Sequence, residues 1–316
     1  MSRFSQKQAA FAFRVALFIG IAFFLLLFLR GFNFSRLADL NLAPLPLLIS
    51  AVLSLAFRYW GVFIWRGILK DLGAQVLPSF HILARIFAQS WMARYIPGAI
   101  AWISSRVVLA SNLGISKSRL TVASLLEAGI QVVAVAASSL VLLSLDERIK
   151  QVVDIEIRRT ALVVALLMTL LLVPAIFNRI LQTIFKLVRQ RDAYEELASN
   201  GKATFRSFCY YAVGSLVSGL SYFFFVSALW SPTTFADVFY VVGAVNLAAA
   251  IGMVTPFVPS GLGTRDASLL FLLSAIYPVE ISLAITVASR LWTLFVDFIF
   301  LALTTRQSAR SSAASS

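Results

Sequence analysis

Seven charged side chains, Arg94, Arg106, Glu127, Arg265, Asp266, Arg290 and Asp297, fall within or against strongly apolar runs. The chain is 60% hydrophobic and only 13% charged, so charges in such runs mark places where something has to compensate them. At mid-bilayer each costs about 2.5–3.5 kcal/mol on insertion scales, and seven unpaired would cost on the order of 20 kcal/mol. They must pair with one another or face a wet cavity. Arg290 and Asp297 are seven residues apart, two helical turns, and share a face; Glu127 and Gln131 share one at a spacing of four. Such pairs either fix helix register or take part in moving an ion or proton, with Glu127, Asp266 and Asp297 as candidate carriers.

Two of these charges stand beside a broken backbone. Residues 255–266 read TPFVPSGLGTRD between two apolar runs. Pro256 and Pro259 remove donors and stop a helix. Gly261 and Gly263 allow backbone conformations that other residues resist, and let a ligand approach closely. Thr264 is the expected N-cap of the helix that follows. Free backbone N–H groups and the positive end of the helix dipole then stand beside Arg265, a setting suited to an anion such as phosphate. Asp266, in the first turn, suits the dipole and is the expected resting partner of Arg265. Residues 92–106 carry the same ingredients: Arg94 before Pro97 and Gly98, then Trp102 and Arg106 after the break. Tyr95 and Trp102 also fit simple interfacial anchoring.

The elements that position these groups are long apolar helices. A soluble domain carries about 25% charged residues, nearly twice the share here, so the chain reads as an all-α polytopic membrane protein. Its apolar runs are continuous rather than alternating, which excludes a barrel. Full spans are expected at 11–30, 45–68, 119–145, 160–182, 207–230 and 281–304. The segments 80–110 and 236–277 are each interrupted by Pro and Gly and read as re-entrant hairpins, giving six full spans plus two hairpins, or eight spans. Each half then holds two spans, a broken hairpin and one more span. That is the hydropathy signature of an inverted repeat, with the binding site at the paired breaks. A single transmembrane domain is expected over 1–305, with halves 1–146 and 160–305, followed by a short disordered cytoplasmic tail at 306–316.

The net charge of +13 belongs to the flanks of these spans, so it points to the positive-inside rule and anionic lipid rather than to nucleic acid. The densest basic segment, 178–206, is placed in the cytoplasm, in part as an amphipathic surface helix. Both termini and the region of Lys117 and Arg119 join it there, while 146–159, 231–236 and 277–281 face outward. Cys209 and His81 are each the sole residue of their type, no carboxylates cluster at metal-ligand spacing, and no cofactor is expected.

At ARYIPGAIAWISSR (93–106), ASLLEAG (123–129, with Glu127) and VPSGLGTRDASLL (258–270) the sequence resembles the flippase-like transmembrane region of lysylphosphatidylglycerol synthases, over about residues 10–304. Two departures stand out. Ser260 occupies a position where the family usually has glycine, and Asp266 stands in place of glutamate. No aminoacyl-transferase domain follows residue 304, so lysyl transfer is not expected. The resemblance implies movement of a lipid between leaflets of the bacterial inner membrane. The positions that match, Arg94, Pro97, Gly98, Arg106, Glu127, Gly261, Gly263, Arg265 and Asp266, would bind the substrate; Arg290 and Asp297, from their spacing and not from the resemblance, are the expected coupling or ion pair.

The function expected from these readings is transport of an anionic phospholipid or lipid-linked intermediate, without catalysis. Two other classes compete. A non-catalytic membrane partner of a cell-envelope glycosyltransferase or synthase would use small-residue runs such as AVAASS (134–139) to pack against another subunit or a neighbouring helix. An enzyme on lipid phosphates would need converging acid–base groups or an Asp-rich motif, and neither stands in the sequence.

Overall fold

The computed structural model describes residues 42–74, 77–95, 101–152, 154–170, 201–255, 261 and 263–313, together with positions 176, 179 and 183. The expected first span at 11–30, most of the basic segment 178–206, and Pro97, Gly98, Pro256 and Pro259 lie outside the described residues. Those described form an all-α polytopic membrane protein. In chain order the helices are α1 Pro44–Asp71, α2 Phe80–Met92, α3 Ala101–Ala110, α4 Lys117–Leu145, the short α5 Glu147–Val152, α6 Ile155–Leu170, α7 Gly201–Leu229, α8 Val238–Val254, α9 Thr264–Leu273 and α10 Val279–Ala313.

Length separates these helices into kinds. α1, α4, α7 and α10 are long and apolar enough to cross a membrane. So is Phe235–Val254, which is α8 with its leading 3-10 turn. By contrast α2, α3 and α9 have 13, 10 and 10 residues, about 20, 15 and 15 Å at 1.5 Å per residue, against a hydrocarbon core of about 30 Å. The second broken segment is therefore asymmetric, a full-length arm followed by a half-length one. Two expected ends shift. α7 begins at Gly201, so residues 201–206 belong to its first turns rather than to a surface segment, and Arg206 there binds Asp71 at the end of α1. α10 runs on to Ala313, through residues whose polar composition suggests a disordered tail.

Polarity is arranged inside out. Leu45, Leu48, Val52, Val213, Phe271 and Phe295 are exposed, while Ser50, Ser54, Arg58, Gln131, Ser221, Asn246 and Asp297 are buried. In a membrane this puts apolar side chains against lipid and hydrogen-bonding groups at helix contacts. Ser50 and Ser54 of α1 meet Ser221 of α7, and Ser138 of α4 meets Ser215 of α7 at 2.8 Å. The run at 134–139 is taken up in this way: its residues are buried or half-buried, and Val135 and Ala136 pack on Ala250 of α8.

The packing has an internal equivalence. Let α1, α2, α3 and α4 correspond to α7, α8, α9 and α10. Then α4 against α8 matches α10 against α2, α2 against α3 matches α8 against α9, and α3 against α4 matches α9 against α10. The pairs α1–α4 and α7–α10, α4–α7 and α10–α1, and α1–α2 and α7–α8 match too, while α1 against α7 maps onto itself. Each half carries its own core, one around Trp65, Leu83 and Phe87, the other around Phe223, Val241 and Ile285.

The connections gather at two ends. At one, Ala43 N–H donates to Ala228 O, and Arg148 binds Asp146, Asp237 and the carbonyl of Ala236. At the other, Arg206 meets Asp71, and the Arg119 guanidinium lies beside Gly73. The groups expected on opposite membrane faces are thus on opposite ends of the bundle.

Candidate functional site

A cavity of about 330 Å3 lies where the two broken segments meet. Its polar lining includes Arg58 of α1, Arg94 after α2, Gln131 of α4, Tyr222 of α7, Asn246 of α8 and Arg265 of α9. Arg58 and Gln131 sit about halfway along their helices, which puts the cavity at middle depth. Phe57, Trp91, Trp102, Val132 and Met253 complete an apolar side. Among the described residues, no Asp or Glu lines it.

The second break shapes one wall. Gly261 and Gly263 have φ of +65° and +85°, values that side-chain-bearing residues rarely adopt. The two glycines do different work. A Cβ at Gly261 would come within 2.8 Å of the Gly252 Cα, so Gly261 permits close backbone contact with α8. A Cβ at Gly263, which is exposed and outside the cavity lining, would meet nothing within 4 Å among the described residues. The cap of α9 is Gly263, not Thr264, whose hydroxyl has no partner. Asp266 closes the turn instead, its Oδ2 accepting from the Gly263 N–H at 3.1 Å.

Asp266 pairs with Arg290 of α10, not with its neighbour Arg265. Arg290 donates through Nε to Asp266 Oδ1 at 2.6 Å and through Nη2 to Oδ2 at 2.9 Å, and also binds the Gly261 carbonyl at 3.0 Å. One guanidinium thereby ties the broken stretch and the helix that follows it to α10. Arg265 is left to the cavity. Its Nη2 donates to the Tyr222 hydroxyl at 2.7 Å, its Nε has no partner, and it has no carboxylate partner among the described residues. Tyr222 is itself held by Thr293 of α10 at 2.6 Å.

The first break supplies the opposite wall. Arg94 sits in the 3-10 turn Ala93–Tyr95 that ends α2. Its Nη2 reaches Asp297 Oδ2 at 2.5 Å, and the Tyr95 hydroxyl donates to the same oxygen at 2.7 Å. Asp297 Oδ1 accepts from Arg58 Nε at 2.7 Å. Arg290 and Asp297 therefore do not pair with each other. Each points from α10 to a cation or carboxylate on another element. Arg94 is stacked over the Trp91 ring at 4.6 Å, and its Nε has no partner.

Arg106 and Glu127 are not part of the cavity lining. They form a salt bridge with each other, at 0% and 1% exposure. Glu127 also accepts from the Tyr211 hydroxyl at 2.9 Å, and Arg106 donates to Ser90. Around the guanidinium stand the rings of Phe87, Trp65 and Trp102, with centroids 4.3, 4.8 and 5.0 Å away. This pair is the counterpart of Asp266–Arg290 in the equivalence above, with the signs exchanged. In each half an Arg–carboxylate bridge ties the short helix after the break to the next long one.

Sequence reasoning missed Arg58, although an Arg halfway along an apolar run carries the same signal as the seven residues it did single out. Tyr222 and Asn246 carry little such signal, because a neutral polar side chain costs less to insert. Among the described residues, no three His, Cys, Asp or Glu side chains gather as a metal would require.

A comparison with curated proteins finds no match. A family model described as "Lysylphosphatidylglycerol synthase TM region" matches residues 11–300.

Proposed function

Because the chain belongs to the family of the lysylphosphatidylglycerol synthase transmembrane region, a membrane domain linked to lipid handling, we propose that it moves an anionic phospholipid or lipid-linked intermediate between leaflets. The observation that carries this reading is the charge count of the cavity. Arg58, Arg94 and Arg265 line it, Asp297 is the one carboxylate they contact among the described residues, and two positive charges remain. In a low-dielectric site such an excess favours an anion, and arginine's planar fork suits phosphate oxygens. A volume of about 330 Å3 accommodates a headgroup, not a whole lipid, so acyl chains would remain among the apolar side chains around it.

In this reading the two broken segments enter from opposite faces, as arms of an inverted repeat whose exchange of conformations exposes the cavity to each leaflet in turn. Both termini and the end bearing Arg119 and Arg206 face the cytoplasm of a bacterial inner membrane. Transport in this reading is passive or coupled to an ion.

Reconstitution into liposomes tests the reading. Fluorescent phosphatidylglycerol should exchange between leaflets at least about tenfold faster with the protein than without, and phosphatidylcholine should exchange more slowly. Equal rates for every lipid, or no acceleration by folded protein, would remove the basis for an anion-selective transporter.

A further inference from the structure

We propose that Asp297 is an internal stand-in for the cargo's anionic group, holding Arg94 until a phosphate takes that cation over. The inference rests on the headgroup reading above and names the side chains that exchange partners.

Asp297 has more cation than it needs. Arg58 approaches Oδ1 twice, with Nε at 2.7 Å and Nη2 at 2.6 Å. Oδ2 has both Arg94 at 2.5 Å and the Tyr95 hydroxyl at 2.7 Å. When Arg94 withdraws, the carboxylate keeps one full cation on Oδ1 and one hydroxyl donor on Oδ2. No uncompensated charge is left buried, and an uncompensated buried charge is what makes breaking such a pair costly. The exchange therefore proceeds without opening the bundle.

Only one of the two cations is placed to leave. Arg58 is 9% exposed and its Nη1 is also tied to the Ser54 carbonyl at 2.8 Å. Arg94 is 21% exposed, its Nε has no partner, and it lies 4.6 Å over the Trp91 ring and 5.0 Å over the Tyr95 ring. Those ring faces continue to stabilise the guanidinium after it leaves the carboxylate. Arg265 is the second cation with an unused donor on the same cavity. Two guanidiniums on one cavity, each with an unsatisfied Nε–H, complement the two non-bridging oxygens of a phosphate. Arg94 is thus the cation that the cargo competes for, Arg58 the one that keeps Asp297 satisfied, and Tyr95 the donor that makes the exchange affordable.

The test is binding, read on the purified full chain in phosphatidylcholine nanodiscs titrated with short-chain phosphatidylglycerol. Asp297→Asn removes the competitor, so the Kd should fall about three- to tenfold. Tyr95→Phe changes no charge; it removes the 3.0 Å bond that Arg94 Nη2 donates to the Tyr95 hydroxyl at rest, and it strips Oδ2 of its last donor once Arg94 has moved, which is the larger loss. Its Kd should rise by about the same factor. A purely structural Asp297 predicts the opposite sign or no change for Asp297→Asn, and no change for Tyr95→Phe. Either result overturns the proposal. If Asp297→Asn fails to fold, the Tyr95→Phe sign decides alone. Wild-type protein that does not prefer phosphatidylglycerol to phosphatidylcholine would sink the headgroup reading and this inference together. A wild-type preference with the wrong variant signs sinks only the inference. Inorganic phosphate should compete only at millimolar concentration; displacement at micromolar concentration would assign the site to a free anion and overturn the lipid source.

Discussion

Arg106–Glu127 and Arg94–Asp297 are both arginine–carboxylate bridges, and they do opposite things. The first is a matched pair, one cation to one carboxylate; Arg106 Nη2 has no hydrogen-bond partner, but a tyrosine, a serine and three aromatic rings surround the pair. The second shares one carboxylate between two cations and borders a cavity with a third. An intramembrane charge is a functional-site signal by default, yet the cost of inserting it is the same in both places. What separates them is stoichiometry and access. A matched pair without an adjoining cavity stabilises the bundle, and a surplus of cations around a cavity binds something.

The contrast breaks most visibly if the matched pair is opened. Arg106→Ala or Glu127→Gln leaves an unpaired buried partner and should cost about 3–5 kcal/mol. Size-exclusion profiles in detergent should show aggregated or absent protein, with no folded fraction impaired in transport alone. A well-folded Arg106→Ala protein with a binding defect would move this pair to the functional side. Next in size is Arg265→Ala. Losing a charge-assisted hydrogen bond of about 1.5–3 kcal/mol should weaken anionic lipid binding tenfold or more while the protein stays folded. Arg265→Lys should fall between, because it keeps the charge and loses the fork.

The glycines sharpen the comparison within the second break. Gly261→Ala meets the Gly252 backbone at 2.8 Å in addition to an unfavourable φ, whereas Gly263→Ala meets only the φ cost. Such strain is of order 1–3 kcal/mol, so thermal unfolding should show a clearly larger drop for Gly261→Ala. Gly263→Val places a β-branched side chain at φ +85° and should lower the unfolding temperature further than Gly263→Ala does.

The smallest effect lies at the end of the bundle, where Arg148 joins Asp146 to Asp237. Partial burial would raise the Asp146 carboxyl, but hydrogen bonds from the Arg148 side chain and backbone outweigh it and hold it below the ordinary carboxylate value. A depressed folded pKa contributes stability that is present above the unfolded value of about 4 and lost as pH falls through the folded one. Arg148 is 36% exposed, so solvent screening limits the contribution to well under about 1 kcal/mol. Asp146→Asn should lower thermal stability slightly at pH 7, and the difference from wild type should shrink as the pH falls below about 4.

Much of this was legible in the sequence because the bilayer leaves few alternatives. Long apolar runs, paired Pro/Gly breaks and seven intramembrane charges mark the membrane class, the broken segments and two of the three arginines that line the cavity. Partner choice was not legible. The seven-residue spacing of Arg290 and Asp297 reports a shared helix face but cannot say which elements pack on it, and those elements supply Asp266, Arg58 and Arg94. The cap of α9 was misplaced by one residue because Thr264 looks like a helix cap in sequence, while the positive φ of Gly263 is a property of the folded turn. Tyr222, in a run rich in phenylalanine, has nothing local to distinguish it from an anchoring aromatic.

The most direct test is the position of a lipid phosphate in a cryo-electron-microscopy map of the protein in phosphatidylglycerol nanodiscs. The account predicts phosphate density between the Arg94 and Arg265 guanidiniums, with Arg94 withdrawn from Asp297 and Arg106–Glu127 unchanged. A cavity filled only by acyl chain, or a phosphate bound at Arg106 with Arg94 still on Asp297, would contradict it.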